Sequence, residues 1–149
     1  MRKPPAPRDD SSASILLVDD NSHGLIARKT VLEELGYAVT STLDPVEALD
    51  LLAAKKFDVL VTDYKMPQMT GVELIVKVRE RIADMRIILL SGFVEALGLD
   101  EGNTGADVVI SKSARELTSL TRALERLLAN RRKPAGSQRA ACKTLRSVV

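Results

Sequence analysis

Short continuous apolar runs alternate with longer amphipathic stretches along most of the chain. Residues 15–18 (ILLV) form such a run, as a strand buried on both faces requires. Residues 23–35 follow, with Leu25, Ile26, Val31, Leu32 and Leu35 spaced for one helical face, and Gly36 ends the pattern. Residues 37–41 read as a second strand. Asp44-Pro45 opens a helix that runs to Lys56: an acidic cap, a proline in the first turn, then Ala48, Leu49, Leu51 and Leu52. Residues 58–62 (DVLVT) predict a third strand, 67–71 a loop, and 72–82 a third helix carrying Leu74, Ile75 and Val78. Residues 86–90 (RIILL) and 108–111 predict the fourth and fifth strands. The last helix spans 114–130 and is strongly periodic through Leu117, Leu120, Leu124, Leu127 and Leu128.

Strands that alternate with helices imply a parallel sheet covered on both faces. Right-handed crossovers then give a doubly wound α/β layer sandwich of (βα)5 type. The weak link lies between the fourth and fifth strands. Residues 94–104 contain Gly98, Gly102 and Asn103 and support only a shortened or irregular fourth helix.

Composition narrows the function classes. The chain has 149 residues, of which 45% are apolar and 28% charged, as in an ordinary globular domain. Aromatics are only 3%, which excludes a stacking platform for single-stranded nucleic acid. One cysteine, Cys142, excludes an internal disulfide framework and a cysteine-rich metal site. The apolar runs are too short to cross a bilayer, and the charged, Pro-rich start does not read as a secretory signal. These features point to the cytoplasm.

Charge divides the chain into three. Residues 1–13 read as a disordered N-terminal tail. Residues 14–129 form one domain with 13 bases and 18 acids, a net −5. Residues 130–149 hold six bases and no acid, and read as a basic C-terminal tail, also disordered. Such a tail offers weak electrostatic contact with nucleic acid, which would fall steeply with salt.

In an open parallel α/β sheet, ligands bind beyond the carboxyl ends of the strands. After the first apolar run come Asp19 and Asp20, after the third Asp63, after the fourth Ser91-Gly92, and after the fifth Lys112. Three carboxylates repel one another and sit together only with a cation or protons. A hard divalent ion that takes oxygen ligands suits them, and Mg2+ suits a site with few protein ligands. A carboxylate beside Mg2+ and a lysine can attack phosphorus and form an aspartyl phosphate.

These residues are similar to the receiver domain of two-component response regulators, of the chemotaxis single-domain type. The carriers are Asp19-Asp20 after a strand, the stretch D-x-x-M-P-x-M-x-G from Asp63 to Gly71, Leu-Leu-Ser91-Gly92, and Gly105-Ala106-Asp107 shortly before Lys112. The resemblance implies a flavodoxin-like three-layer sandwich with sheet order 2-1-3-4-5. It implies Asp63 as phosphoacceptor, with Mg2+ held by Asp19, Asp20, Asp63 and the Lys65 main-chain carbonyl. Lys112 would pair with the phosphoryl oxygens, and Ser91 would be the switch hydroxyl. Lys65 and Phe93 occupy the two places where the family tunes how long the phosphoryl group lasts.

The partners implied are a sensor histidine kinase or histidine phosphotransfer protein and a downstream protein effector. About 19 residues follow Asn130, too few for an output domain, so a stand-alone regulator is expected rather than an enzyme. Neighbours of the last helix's leucines could form a homodimer face. Two positions depart from the family pattern. Val109 stands where an aromatic is usual, and Ser113 follows the lysine where proline is usual. A trans bond is expected before Ser113, and an output that differs from the family norm. The competing reading is a degenerate receiver that serves as a phosphorylation-independent scaffold. A phosphatase of the haloacid-dehalogenase type would want a second acid two residues after its nucleophile, where this chain has Lys65.

Overall fold

The structure, a computed structural model, describes residues 12–129. The elements run β1 (Ser14–Val18), α1 (Ser22–Glu34), β2 (Ala38–Thr42), α2 (Pro45–Ala54), β3 (Val59–Asp63), α3 (Gly71–Arg81), β4 (Arg86–Ser91), α4 (Val94–Leu97), α5 (Glu101–Thr104), β5 (Val108–Ser111) and α6 (Glu116–Ala129). All strand pairs are parallel, in the order β2-β1-β3-β4-β5. This is the expected flavodoxin-like (βα)5 architecture, with the order that the resemblance implied. Residues 1–11 and 130–149, which hold most of the two tails and Cys142, lie outside the described residues.

The alternation of side chains along each strand sorts the core into two layers. Ile15, Leu17, Val59, Val61, Ile88, Leu90 and Ile110 meet Leu25 and Leu32 of α1 and Leu120, Leu124 and Leu128 of α6. Leu16, Val18, Leu60, Ile87 and Leu89 meet Ala48 and Leu52 of α2 and Leu74, Ile75 and Val78 of α3. Among the described residues, no buried side-chain nitrogen or oxygen lacks a hydrogen-bond partner. No helix among them is long and apolar enough to cross a membrane.

The predicted helices form, with local corrections. Ile26 and Leu35 were placed on the apolar face of the first helix, yet they are 64% and 53% exposed. The buried stripe of α1 is narrower and runs Leu25, Arg28, Leu32. Asp44 and Thr70 cap α2 and α3, and Thr70 forms a reciprocal capping box with Glu73. The weak segment resolves into two four-residue turns, α4 and α5, separated by Gly98 in the left-handed region at φ 63°.

Two features tie the end of the sheet together. Arg79 of α3 donates to the carbonyls of Gly105, Ala83 and Met85 and pairs with Asp107. Asp107 in turn accepts from the Ile87 N–H at 2.7 Å. On the outer side of edge strand β5, the Val109 N–H donates to the Glu101 carboxylate at 3.0 Å. No peptide bond among the described residues is cis, so the Lys112–Ser113 bond is trans as expected.

Candidate functional site

Strand parity explains which side chains converge. Asp19 follows Ile15 and Leu17, Asp63 follows Val59 and Val61, and Lys112 follows Ile110, all on the layer roofed by α1 and α6. Asp19 and Asp63 are therefore buried, at 2% and 6% exposure. Asp20, one residue on, is exposed at the rim. Asp19, Asp20 and Asp63 each offer an oxygen within 4.8 Å of the others. Lys112 Nζ lies 2.9 Å from Asp63 Oδ1 and 3.4 Å from Asp19 Oδ2.

Main-chain donors finish the site. The Asn21 N–H donates to Asp19 Oδ1 at 2.9 Å, and the Tyr64 N–H to Asp63 Oδ1 at 2.9 Å. Ser91 is fully buried at the end of β4, one residue past Leu90, which pairs with Asp63. Its Oγ accepts from the Phe93 N–H at 2.8 Å, and its carbonyl accepts from the Lys112 N–H at 2.9 Å. No hydrogen bond joins Ser91 to the carboxylates. Its parity is that of Ile87 and Leu89, the opposite layer from Asp63. The Lys65 side chain is exposed, with Nζ 5.7 Å from the Phe93 ring centre. Tyr64 and Phe93 stand 6.4 Å apart, so the residues after Asp63 and Ser91 form one rim. His23, at the start of α1, is exposed.

The turn from Asp63 into α3 is tightly packed. Gly71 N–H donates to the Tyr64 carbonyl at 2.7 Å. A Cβ at Gly71 would stand 2.3 Å from the Asp63 carbonyl oxygen and 2.8 Å from Leu89 Cδ1. Only glycine fits, which accounts for the last residue of the D-x-x-M-P-x-M-x-G stretch. Gln68 in the same turn has φ 77°, an uncommon conformation for a residue with a side chain.

Electrostatics separates the two buried acids. Burial raises the Asp63 carboxyl to about 6, helped by the charge of Asp19, while Lys112 and the Tyr64 N–H pull the other way. Burial also opposes the charge on Asp19. There the Asn21 N–H, Lys112 and Arg28 outweigh it and hold the carboxyl below its ordinary value. The three carboxylates are hard oxygen donors of the kind Mg2+ takes, so the donor set fits that ion.

Sequence reasoning missed Arg28 and Glu116. Arg28 NH1 lies 2.7 Å from Asp19 Oδ2, and its Nε donates to Glu116 Oε2 at the start of α6. Arg28 is 7% exposed. A charged residue between Leu25 and Leu32 on an otherwise apolar stripe was the available signal.

An open, doubly wound sheet with an acidic, lysine-bearing pocket at its strand ends defines a class of flavodoxin-like signalling domain. Residues 15–125 match the family described as response regulator receiver domain, and the chain belongs to that family. Chemotaxis response regulator CheY4 of Vibrio cholerae has the same fold, with TM-score 0.71 and 30% identity over 79% of this chain and 100% of that one. Response regulator TrrA of Thermotoga maritima, solved in complex with Mg2+-BeF, superposes with TM-score 0.70 and 28% identity over 78% of this chain and 99% of its own. The sensor protein EvgS of Escherichia coli is 36% identical over 89 residues, 60% of this chain. The chain spans only 7 to 26% of the length of EvgS and the larger regulators it matches. Phosphorylation on aspartate with Mg2+, and interaction with histidine kinases and downstream effectors, are general features of the family.

Proposed function

We propose that Asp63 accepts a phosphoryl group from a histidine kinase or a histidine phosphotransfer protein, and that the chain acts as a stand-alone cytoplasmic regulator signalling through protein contacts. The observation that carries this reading is the Asp63 carboxylate at the end of β3, 2.9 Å from the Lys112 ammonium and grouped with Asp19 and Asp20.

An Asp63 oxygen attacks phosphorus, and the bond from phosphorus to the donor nitrogen breaks. The electron pair leaves with the donor's imidazole. Lys112 offsets charge on the phosphoryl oxygens. Asp19, Asp20, Asp63 and the Lys65 carbonyl would hold Mg2+, which supplies further neutralisation of that charge. Ser91 lies one position beyond the strand partner of Asp63, and in this reading its hydroxyl would turn across from the opposite layer toward the modified residue. That turn exchanges its present bond from the Phe93 N–H.

Intact-mass spectrometry after incubation with acetyl phosphate and Mg2+ tests the reading, with Asp63→Asn as control. A gain of one phosphoryl group, absent in the variant, is expected. No gain in a sample that binds Mg2+ would favour the phosphorylation-independent scaffold.

A further inference from the structure

We propose that Arg28 is a positioning residue that couples cation binding at the strand ends to the first turn of α6, through Asp19 on one side and Glu116 on the other. The inference rests on reading the acidic pocket as an Mg2+ site.

A guanidinium at 7% exposure on the buried stripe of α1 is costly unless fully paired, and an aliphatic residue would fill the place more cheaply. Arg28 is paired through different nitrogens: NH1 with Asp19 and Nε with Glu116. The fold makes room for it. A Cβ at Gly24, one turn earlier on α1, would stand 3.2 Å from Arg28 NH1.

Both oxygens of the Asp19 carboxylate accept hydrogen bonds. Oδ1 accepts from Asn21, and Oδ2 from both Arg28 and Lys112. Arg28 and Lys112 thus supply the positive charge that lets Asp19 and Asp63 sit together. A divalent cation entering this cluster competes with the guanidinium for Asp19. Weakening the Arg28–Asp19 bond shifts the guanidinium toward Glu116, the first residue of α6. Occupancy of the pocket is then felt on α6.

This route does not pass through position 109. Val109 packs in the layer of α2 and α3, whereas α6 lies in the other layer. The coupling therefore leaves the pocket by the face roofed by α1 and α6.

The test is a Mg2+ titration of the whole chain followed by amide NMR, for the wild type, Arg28→Met and Glu116→Gln. In the wild type, amides of the first turn of α6 should shift along with those of Asp20 and Tyr64. Arg28→Met removes the competing cation, so Mg2+ affinity should rise at least about threefold while the α6 shifts vanish and the pocket shifts remain. Glu116→Gln leaves the guanidinium to Asp19 alone, so affinity should fall and the α6 shifts shrink. Should Arg28→Met fail to fold, Glu116→Gln, altered at the protein's half-buried rim, carries the same test. Silent α6 amides in a wild type that binds Mg2+ would overturn the coupling alone. So would α6 shifts that persist in Arg28→Met or stay undiminished in Glu116→Gln, or affinities that move the other way. A wild type that binds no Mg2+ would overturn the metal reading and the coupling with it.

Discussion

Lys112 Nζ stands 2.9 Å from Asp63 Oδ1, yet the Asp63 carboxyl is still raised to about 6, because burial, helped by the charge of Asp19, outweighs that ammonium. The unfolded chain ionises Asp63 near 3.8, so between that value and about 6 the folded state holds more protons than the unfolded one. Stability of the metal-free protein therefore falls as pH rises through this window. Asp63→Asn removes the penalty. It should stabilise the metal-free protein by about 1–2 kcal/mol near neutral pH, after allowance for solvent screening, and the gain should fade on acidification. Urea unfolding of both proteins across that range measures it, and a gain independent of pH would count against the assignment.

Mg2+ should act on stability in the opposite sense to ionisation alone. A ligand that binds only the folded state at roughly 100 times its Kd adds about 2.7 kcal/mol. Thermal melts with and without Mg2+ should show the increase. Asp20→Asn, at an exposed position, should leave the metal-free melt nearly unchanged and remove most of the Mg2+ effect. An equal Mg2+ shift in the variant would remove Asp20 from the ligand set.

Gly71→Ala should be among the most damaging single changes. Its new methyl would overlap the Asp63 carbonyl oxygen, at 2.3 Å. Backbone must move on one side or the other, at a cost of about 2–4 kcal/mol. The melting temperature reports the cost, and acetyl-phosphate labelling reports the displacement of Asp63.

Arg79→Ala should loosen the approach to β5. The variant leaves the carbonyls of Gly105, Ala83 and Met85 without this donor and leaves Asp107 its bond from the Ile87 N–H. A loss of about 1–2 kcal/mol is expected, with faster amide exchange over residues 105–109 than elsewhere. Uniform exchange across the sheet would show that Arg79 does not act locally.

Most of the fold was legible because the strands are short apolar runs bounded by polar residues. Reading the position after each run located Asp19, Asp20, Asp63, Ser91 and Lys112, and four of these five meet as side chains. Ser91 does not touch them, because its place in the alternation of β4 turns it to the other layer. Helix faces were read too widely. Ile26 and Leu35 are apolar but lie outside the stripe that α1 buries. The Arg28–Glu116 pair joins residues 88 positions apart, and no local pattern signals such a contact.

The bond from Val109 to Glu101 has a bearing on solubility. Strand β5 ends the sheet, and an unpaired strand edge is a template on which another chain can grow. Here a main-chain donor in the middle of that edge is already occupied by a carboxylate from α5. An incoming strand would have to expel the glutamate and leave its charge beside a new backbone. The edge is thereby blunted against cross-β addition, and at that border the domain resists fibrillar growth.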